Sequence, residues 1–149
     1  MPNPDVEREF FELYDDVCGK LQRVYGTDDD AIVMGGEGIL GLEAAIASTV
    51  GPGDEVLCIS NGLYGDGFAE FVENYGGDPT IVRADDTDPL DQEGVTSALE
   101  AGDYELATMV HCETPTGALN DVEPILERLH EHDVLTVVDA VSSLGGMPV

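Results

Sequence analysis

Five short apolar runs alternate along this chain with segments whose apolar residues recur every three or four positions. The runs are residues 31–34, 55–59, 80–83, 106–111 and 134–138, and each reads as a strand. Between them, residues 39–50, 66–75, 92–101 and 121–132 read as helices, the last with Asn120 or Asp121 as its cap. Residues 5–25 open the chain with another helical pattern, carried by Phe10, Leu13, Tyr14, Val17, Leu21 and Val24. Gly51-Pro52-Gly53 and Gly76-Gly77 supply helix stops. The continuous run Val134–Val138 predicts a strand buried on both faces. Strand–helix alternation of this kind implies an α/β fold with a mostly parallel sheet flanked by helices and wound by right-handed crossovers. Ligands of such sheets bind beyond the carboxyl ends of the strands. The loops at 35–38, 60–65, 112–117 and 139–143 are therefore expected on one face.

Composition narrows the function. At 149 residues the chain is long enough for one compact domain with a core. Thirty-two acidic residues against five Lys+Arg leave a net charge of −27, and Lys20 is the only lysine. Such a surface repels nucleic acid and anionic membranes, so neither is an expected partner. Acidic residues dispersed through structured segments suit a halophilic protein, in which salt screens self-repulsion. No run approaches the ~18–20 apolar residues of a membrane helix. The opening MPNPDVERE lacks the basic start and apolar stretch of a signal peptide, so a cytoplasmic location is expected. Cys18, Cys58 and Cys112 are odd in number and widely spaced, so each is expected as a small buried apolar residue rather than a disulfide or metal ligand. His130 and His132 lack a third ligand, so no metal site is expected. His111 reads as a satisfied loop or core histidine.

Two positions invite chemistry. Glycines at 35, 36 and 38, between an apolar run and a helix, let backbone N–H groups converge on an anion, although a tight turn needs the same residues. Gly36, Gly38 and Gly41 also keep the dinucleotide spacing, but Ser60 and Asn61 stand where a ribose-binding acid would follow the next strand. Asp139 closes the last apolar run. It either caps the following turn or faces a bound cation such as a protonated pyridine nitrogen.

The segments GGEGILGLEAA (35–45), PGDEVLCISNGLYGDGFAE (52–70), HCETPTG (111–117) and VVDAVSSLGG (137–146) resemble, in order and spacing, the class V pyridoxal-phosphate-dependent aminotransferases of the alanine–glyoxylate and serine–pyruvate group. The resemblance covers nearly the whole chain. It implies part of the cofactor-binding large domain of a fold-type I enzyme over residues 1–149. The family's N-terminal segment, its small C-terminal domain and its cofactor-linking lysine are not among these residues, and Lys20 precedes the phosphate loop. It implies pyridoxal 5′-phosphate as cofactor, a small amino acid and a 2-oxo acid as substrates, and a homodimer for the full-length enzyme.

By position, the resemblance assigns the phosphate to the backbone of Glu37, Gly38 and Ile39. Tyr64 would stack on the pyridine ring, though it could equally be an ordinary packed aromatic. Thr114 would bond the ring's phenolic oxygen, Asp139 would be the catalytic carboxylate at the ring nitrogen, and Val141 would pack on the opposite ring face. Glu37 departs from the Ser or Thr of relatives, and its carboxylate is expected to turn away from the phosphate. The 149 residues alone are expected to be inactive. 2-Aminoethylphosphonate–pyruvate aminotransferase is the nearest alternative, a non-catalytic truncated remnant the next. Cysteine desulfurases fit less well, because Tyr64 and Val141 replace their usual His and Gln.

Overall fold

A computed structural model describes residues 7–147, and the chain divides into two compact units, residues 1–35 and 36–149. In the first unit, helix α1 (Arg8–Tyr25) occupies most of the expected span; residues 5 and 6 lie outside the described residues. Exposed i,i+4 pairs, Arg8–Glu12 and Asp16–Lys20, add a few tenths of a kcal/mol each at most. The helix stops at Gly26, whose φ of 68° is the left-handed conformation that glycine adopts without strain.

The strand expected at Ala31–Met34 does not form. A strand needs a neighbour for its backbone groups, and here the Val33 N–H donates to the Tyr14 hydroxyl at 3.0 Å instead.

The second unit follows the order α2 (Gly38–Thr49), β1 (Glu55–Ser60), α3 (Leu63–Asn74), β2 (Asp78–Arg83), α4 (Gln92–Ala101), β3 (Leu106–Val110), α5 (Glu123–Glu131) and β4 (Leu135–Asp139). The four strands form one parallel sheet in the order β2-β1-β3-β4. The period-two alternation of β1 and β3 sorts the core into two layers. Leu57, Ile59, Ala107 and Met109 pack with Val95, Leu99, Ile125 and Leu129 of α4 and α5. Val56, Cys58, Leu106 and Val110 pack with Ile46 of α2 and with Phe68 and Val72 of α3. Helices therefore cover both faces, as the alternation of strands and helices required.

Several local expectations are corrected. β4 is not buried on both faces: among the described residues it lies at the sheet edge and pairs only with β3, and Leu135 is 57 % exposed. The other edge strand, β2, starts at Asp78 and carries Pro79, which an edge tolerates because one side of the strand needs no N–H donor. α5 is capped by neither Asn120 nor Asp121; its N-cap is Val122, with Pro124 in the first turn. Of the three cysteines only Cys58 is buried, while Cys18 and Cys112 are partly exposed. No helix among the described residues is long and apolar enough to cross a membrane.

Candidate functional site

The order in which the sheet is wound locates the site. From β1 the chain moves outward to β2, then crosses back to β3 and moves the other way to β4. Winding therefore reverses between β1 and β3, and the loops leaving their carboxyl ends part at that point. A crevice at such a reversal is where open α/β sheets take ligands.

A cavity of about 280 Å³ sits there, and all seven residues named from the sequence line it: Glu37, Gly38, Ile39, Tyr64, Thr114, Asp139 and Val141. Leu42 and Ser142 complete the wall. Tyr64 lies in the first turn of α3, just beyond β1, Thr114 comes from the loop after β3, and Asp139 ends β4. A larger hollow of about 740 Å³ lies elsewhere, lined by Leu119, Val122, Leu126 and Glu127 among others, and gathers none of the seven. No group of His, Cys, Asp and Glu that could hold a metal occurs among the described residues.

Each wall has a local cause. Glu37 is the N-cap of α2, with extended backbone and no side-chain cap bond, and its carbonyl accepts the Leu40 N–H at 3.0 Å. The N–H groups of Gly38 and Ile39 precede any intrahelical acceptor and have no partner among the described residues. They present unpaired donors at the positive end of the helix. Glycine at 38 leaves room beside Val141: a Cβ there would lie 3.2 Å from a Val141 methyl, a tight contact that the valine would have to ease by a few tenths of an ångström.

Asp139 is buried, only 6 % exposed. Its Oδ1 accepts the Val141 N–H at 2.8 Å, so the capping role and the cavity-lining position coexist in one side chain. Its backbone carbonyl accepts the His111 N–H at 2.8 Å, which joins the ends of β3 and β4. Tyr64 packs beside the apolar layer containing Phe68 while lining the cavity, so it is at once a packed aromatic and a cavity wall. The Thr114 and Ser142 hydroxyls are hydrogen-bonded to each other across the cavity mouth.

Four residues at this edge were not assigned to the site from the sequence. Ser142 lies within the VVDAVSSLGG segment, which was the available signal. Asn61 and Asn120 are buried and bond reciprocally, at 2.7 and 3.0 Å, and Asn120 also donates to the Val110 carbonyl at 2.8 Å. That clamp ties the ends of β1 and β3 together, and it is why Asn120 is unavailable as a cap. Glu113 is fully buried and bonds the first turn of α3. It lies within the HCETPTG segment, but nothing local marks its bonding, because its partners lie 48 and 49 residues away. His111 is buried as expected, but its Nδ1 has no partner among the described residues, so there it is not the satisfied histidine the sequence suggested.

The class V aminotransferase family profile matches residues 4–149. Pyridoxamine–pyruvate transaminase of Mesorhizobium japonicum is 33 % identical over 144 residues, covering 96 % of this chain and 37 % of its own length. A 2-aminoethylphosphonate–pyruvate transaminase of Bacteroides fragilis is 33 % identical over 120 residues, covering 80 % of this chain and 33 % of its own. The crystal structure of alanine–glyoxylate aminotransferase from Nostoc sp. superposes with a TM-score of 0.90 at 33 % identity, over 96 % of this chain and 38 % of that one. The chain thus spans about a third to two fifths of the length of these relatives. The parallel sheet with its flanking helices agrees with the expected part of a fold-type I large domain. With motif order, sheet topology and nearly the whole length of the chain in agreement, the chain belongs to the class V aminotransferase family.

Proposed function

We propose that these residues form the cofactor cradle of an aminotransferase that uses pyridoxal 5′-phosphate to move an amino group between a small amino acid and a 2-oxo acid. The observation that carries this reading is the convergence of unpaired α2 amides, an aromatic face, a hydroxyl pair and a buried carboxylate on one cavity. The donor set fits the group. The N–H groups of Gly38 and Ile39 would take the phosphate, and the Glu37 side chain, which caps nothing, is free to turn away. Tyr64 and Val141 offer apolar faces for a flat ring. Thr114 would donate to the ring's phenolic oxygen. The oxygen of Asp139 not held by Val141 N–H would accept from a protonated ring nitrogen, and burial keeps water from competing for that bond. When bound, the cofactor supplies an electron sink for amino-group transfer.

Alanine or serine with glyoxylate or pyruvate is the leading substrate pair. 2-Aminoethylphosphonate with pyruvate is the second, favoured by the relative of that name. The 149 residues on their own are proposed to hold the cofactor without a covalent link and to transfer nothing, because their one lysine precedes the cradle. A homodimer is the proposed state of the full-length enzyme.

Equilibrium dialysis with pyridoxamine 5′-phosphate, which carries no aldehyde to modify Lys20, tests the cradle. Asp139→Asn keeps an acceptor for the Val141 N–H but removes the charge. It should weaken binding roughly ten- to hundredfold, the span of a charge-assisted hydrogen bond of ~1.5–3 kcal/mol. Equal affinity in the variant and the parent would rule the reading out. The parent chain, given pyridoxal phosphate, alanine and glyoxylate, should form no glycine, and turnover would show that the proposed inactivity is wrong.

A further inference from the structure

The most deeply buried carboxylate beside the cavity belongs to none of the seven lining residues that the sequence picked out. Glu113 is 0 % exposed. Its Oε1 accepts the Gly65 N–H at 2.7 Å and its Oε2 the Tyr64 N–H at 3.3 Å. Both donors belong to the first turn of α3, where N–H groups have no intrahelical acceptor. The N-cap of α3 is Gly62, which offers no side-chain bond, so a carboxylate from another loop does the capping.

Gly62 is shaped for that role. Its φ of 177° is extended backbone that any residue adopts, so the turn itself does not call for glycine. A Cβ there would lie 2.6 Å from the Glu113 carboxyl carbon, so glycine leaves room for the carboxylate. The Glu113 loop is itself held: the Glu113 N–H donates to the Ala118 carbonyl at 2.9 Å, and its carbonyl accepts the Gly117 N–H at 2.8 Å.

Glu113 therefore ties the first turn of α3, which follows β1, to the loop after β3, across the reversal where the cavity opens. Tyr64 sits on one of its hydrogen bonds, and Thr114 is its covalent neighbour. Burying a carboxylate on two backbone donors is a costly way to cap a helix that Ser or Asp at position 62 could cap locally. What the long-range cap adds is a fixed separation between two cavity walls.

We propose that Glu113 is a positioning residue of the site: it acts through Tyr64, holding the ring in register with Thr114 and Asp139. This rests on the cofactor reading above. The test is a double-mutant cycle on the full chain, with pyridoxamine phosphate as the probe in equilibrium dialysis and circular-dichroism melts run in parallel. Tyr64→Ala should weaken binding about tenfold through loss of the aromatic face. Glu113→Gln, which can accept one N–H but turns a donor toward the other, should weaken binding several-fold in the parent. In the Tyr64→Ala background it should weaken binding no further. Gly62→Ala keeps every charge and displaces the carboxylate sterically, so it should reproduce the Glu113→Gln behaviour and serves if the latter does not fold.

If Glu113 is only a strut of the fold, both variants lower the melting midpoint, and their effects on binding multiply with that of Tyr64→Ala; that result overturns the proposal. Full affinity in folded Glu113→Gln or Gly62→Ala overturns it too, while leaving the cradle intact. Unchanged affinity in Tyr64→Ala and Asp139→Asn together brings down the cradle reading itself, and Glu113 with it.

Discussion

Cys58 shows how a single side chain couples the core to pH. It sits on β1 with no exposed surface, and burial pushes its thiol above the ordinary value of 9.0 because the thiolate would be desolvated. Well below pH 9.0 the folded and unfolded chains both carry the proton, and the group has no effect on stability. Above it the unfolded chain loses the proton while the folded chain keeps it, so stability falls with rising pH until the folded thiol ionises too. Thermal melts between pH 8 and 10.5 should show a declining midpoint, and Cys58→Ala should show a shallower decline. Equal slopes in the two proteins would mean that the burial seen here does not shift the thiol. Gly65 shows a different constraint at the same scale: a Cβ there would lie 3.0 Å from the Ser60 Cα, which holds α3 tight against the end of β1.

The elements differ in how firmly they are held. β1 and β3 are paired on both sides and buried, whereas β4 has one partner and a partly exposed surface. Local opening costs least where few buried contacts and hydrogen bonds are lost. Native-state hydrogen exchange should therefore find the amides of Val56–Ser60 and Leu106–Val110 the slowest in the second unit. Those of Leu135–Val138 should exchange faster by at least an order of magnitude. Comparable protection across all four strands would contradict an edge position for β4. Asp139 stands at the end of that less protected strand, anchored through the His111 N–H to β3. The carboxylate of the site thus depends on a neighbouring strand for its position.

The net charge of −27 acts on the whole molecule. Only four ion pairs form among the described residues, all on exposed side chains, so most of the acidic surface is uncompensated. Self-repulsion opposes the compact state and is screened over a Debye length of ~10 Å at 0.1 M salt, falling to ~3 Å at 1 M. The melting midpoint should rise as potassium chloride goes from 0.05 to 2 M. The rise should be about 2–4 °C for each kcal/mol of repulsion removed in a chain of this size. A midpoint that stays flat or falls would reject adaptation to high salt as the reason for this composition.

Most of the sheet could be read from local signals, and the resemblance in motif order named seven of the nine residues that line the cavity, leaving out Leu42 and Ser142. Period and punctuation located four of the five proposed strands, because a buried parallel strand is a short apolar run between breakers. Motif order placed Gly38, Tyr64, Thr114 and Asp139 at strand and helix ends that the parallel winding brings to one edge. Failures came where a residue's state depends on a partner far along the chain. Ala31–Met34 has the look of a strand but no ladder partner, and Val134–Val138 has the look of a central strand but lies at the edge. Asn120 has the chemistry of a cap, yet Asn61, 59 residues away, takes its side chain. Glu113 lies within the HCETPTG segment, but its bonding role exists only once α3 is brought against the loop after β3. Local sequence determined which segments are strands and helices and which chemistry they carry, because propensity and period act over a few residues. Tertiary structure alone decided which strand is an edge, which polar group finds a partner, and how the cavity walls are held apart, because those depend on contacts spanning tens of residues.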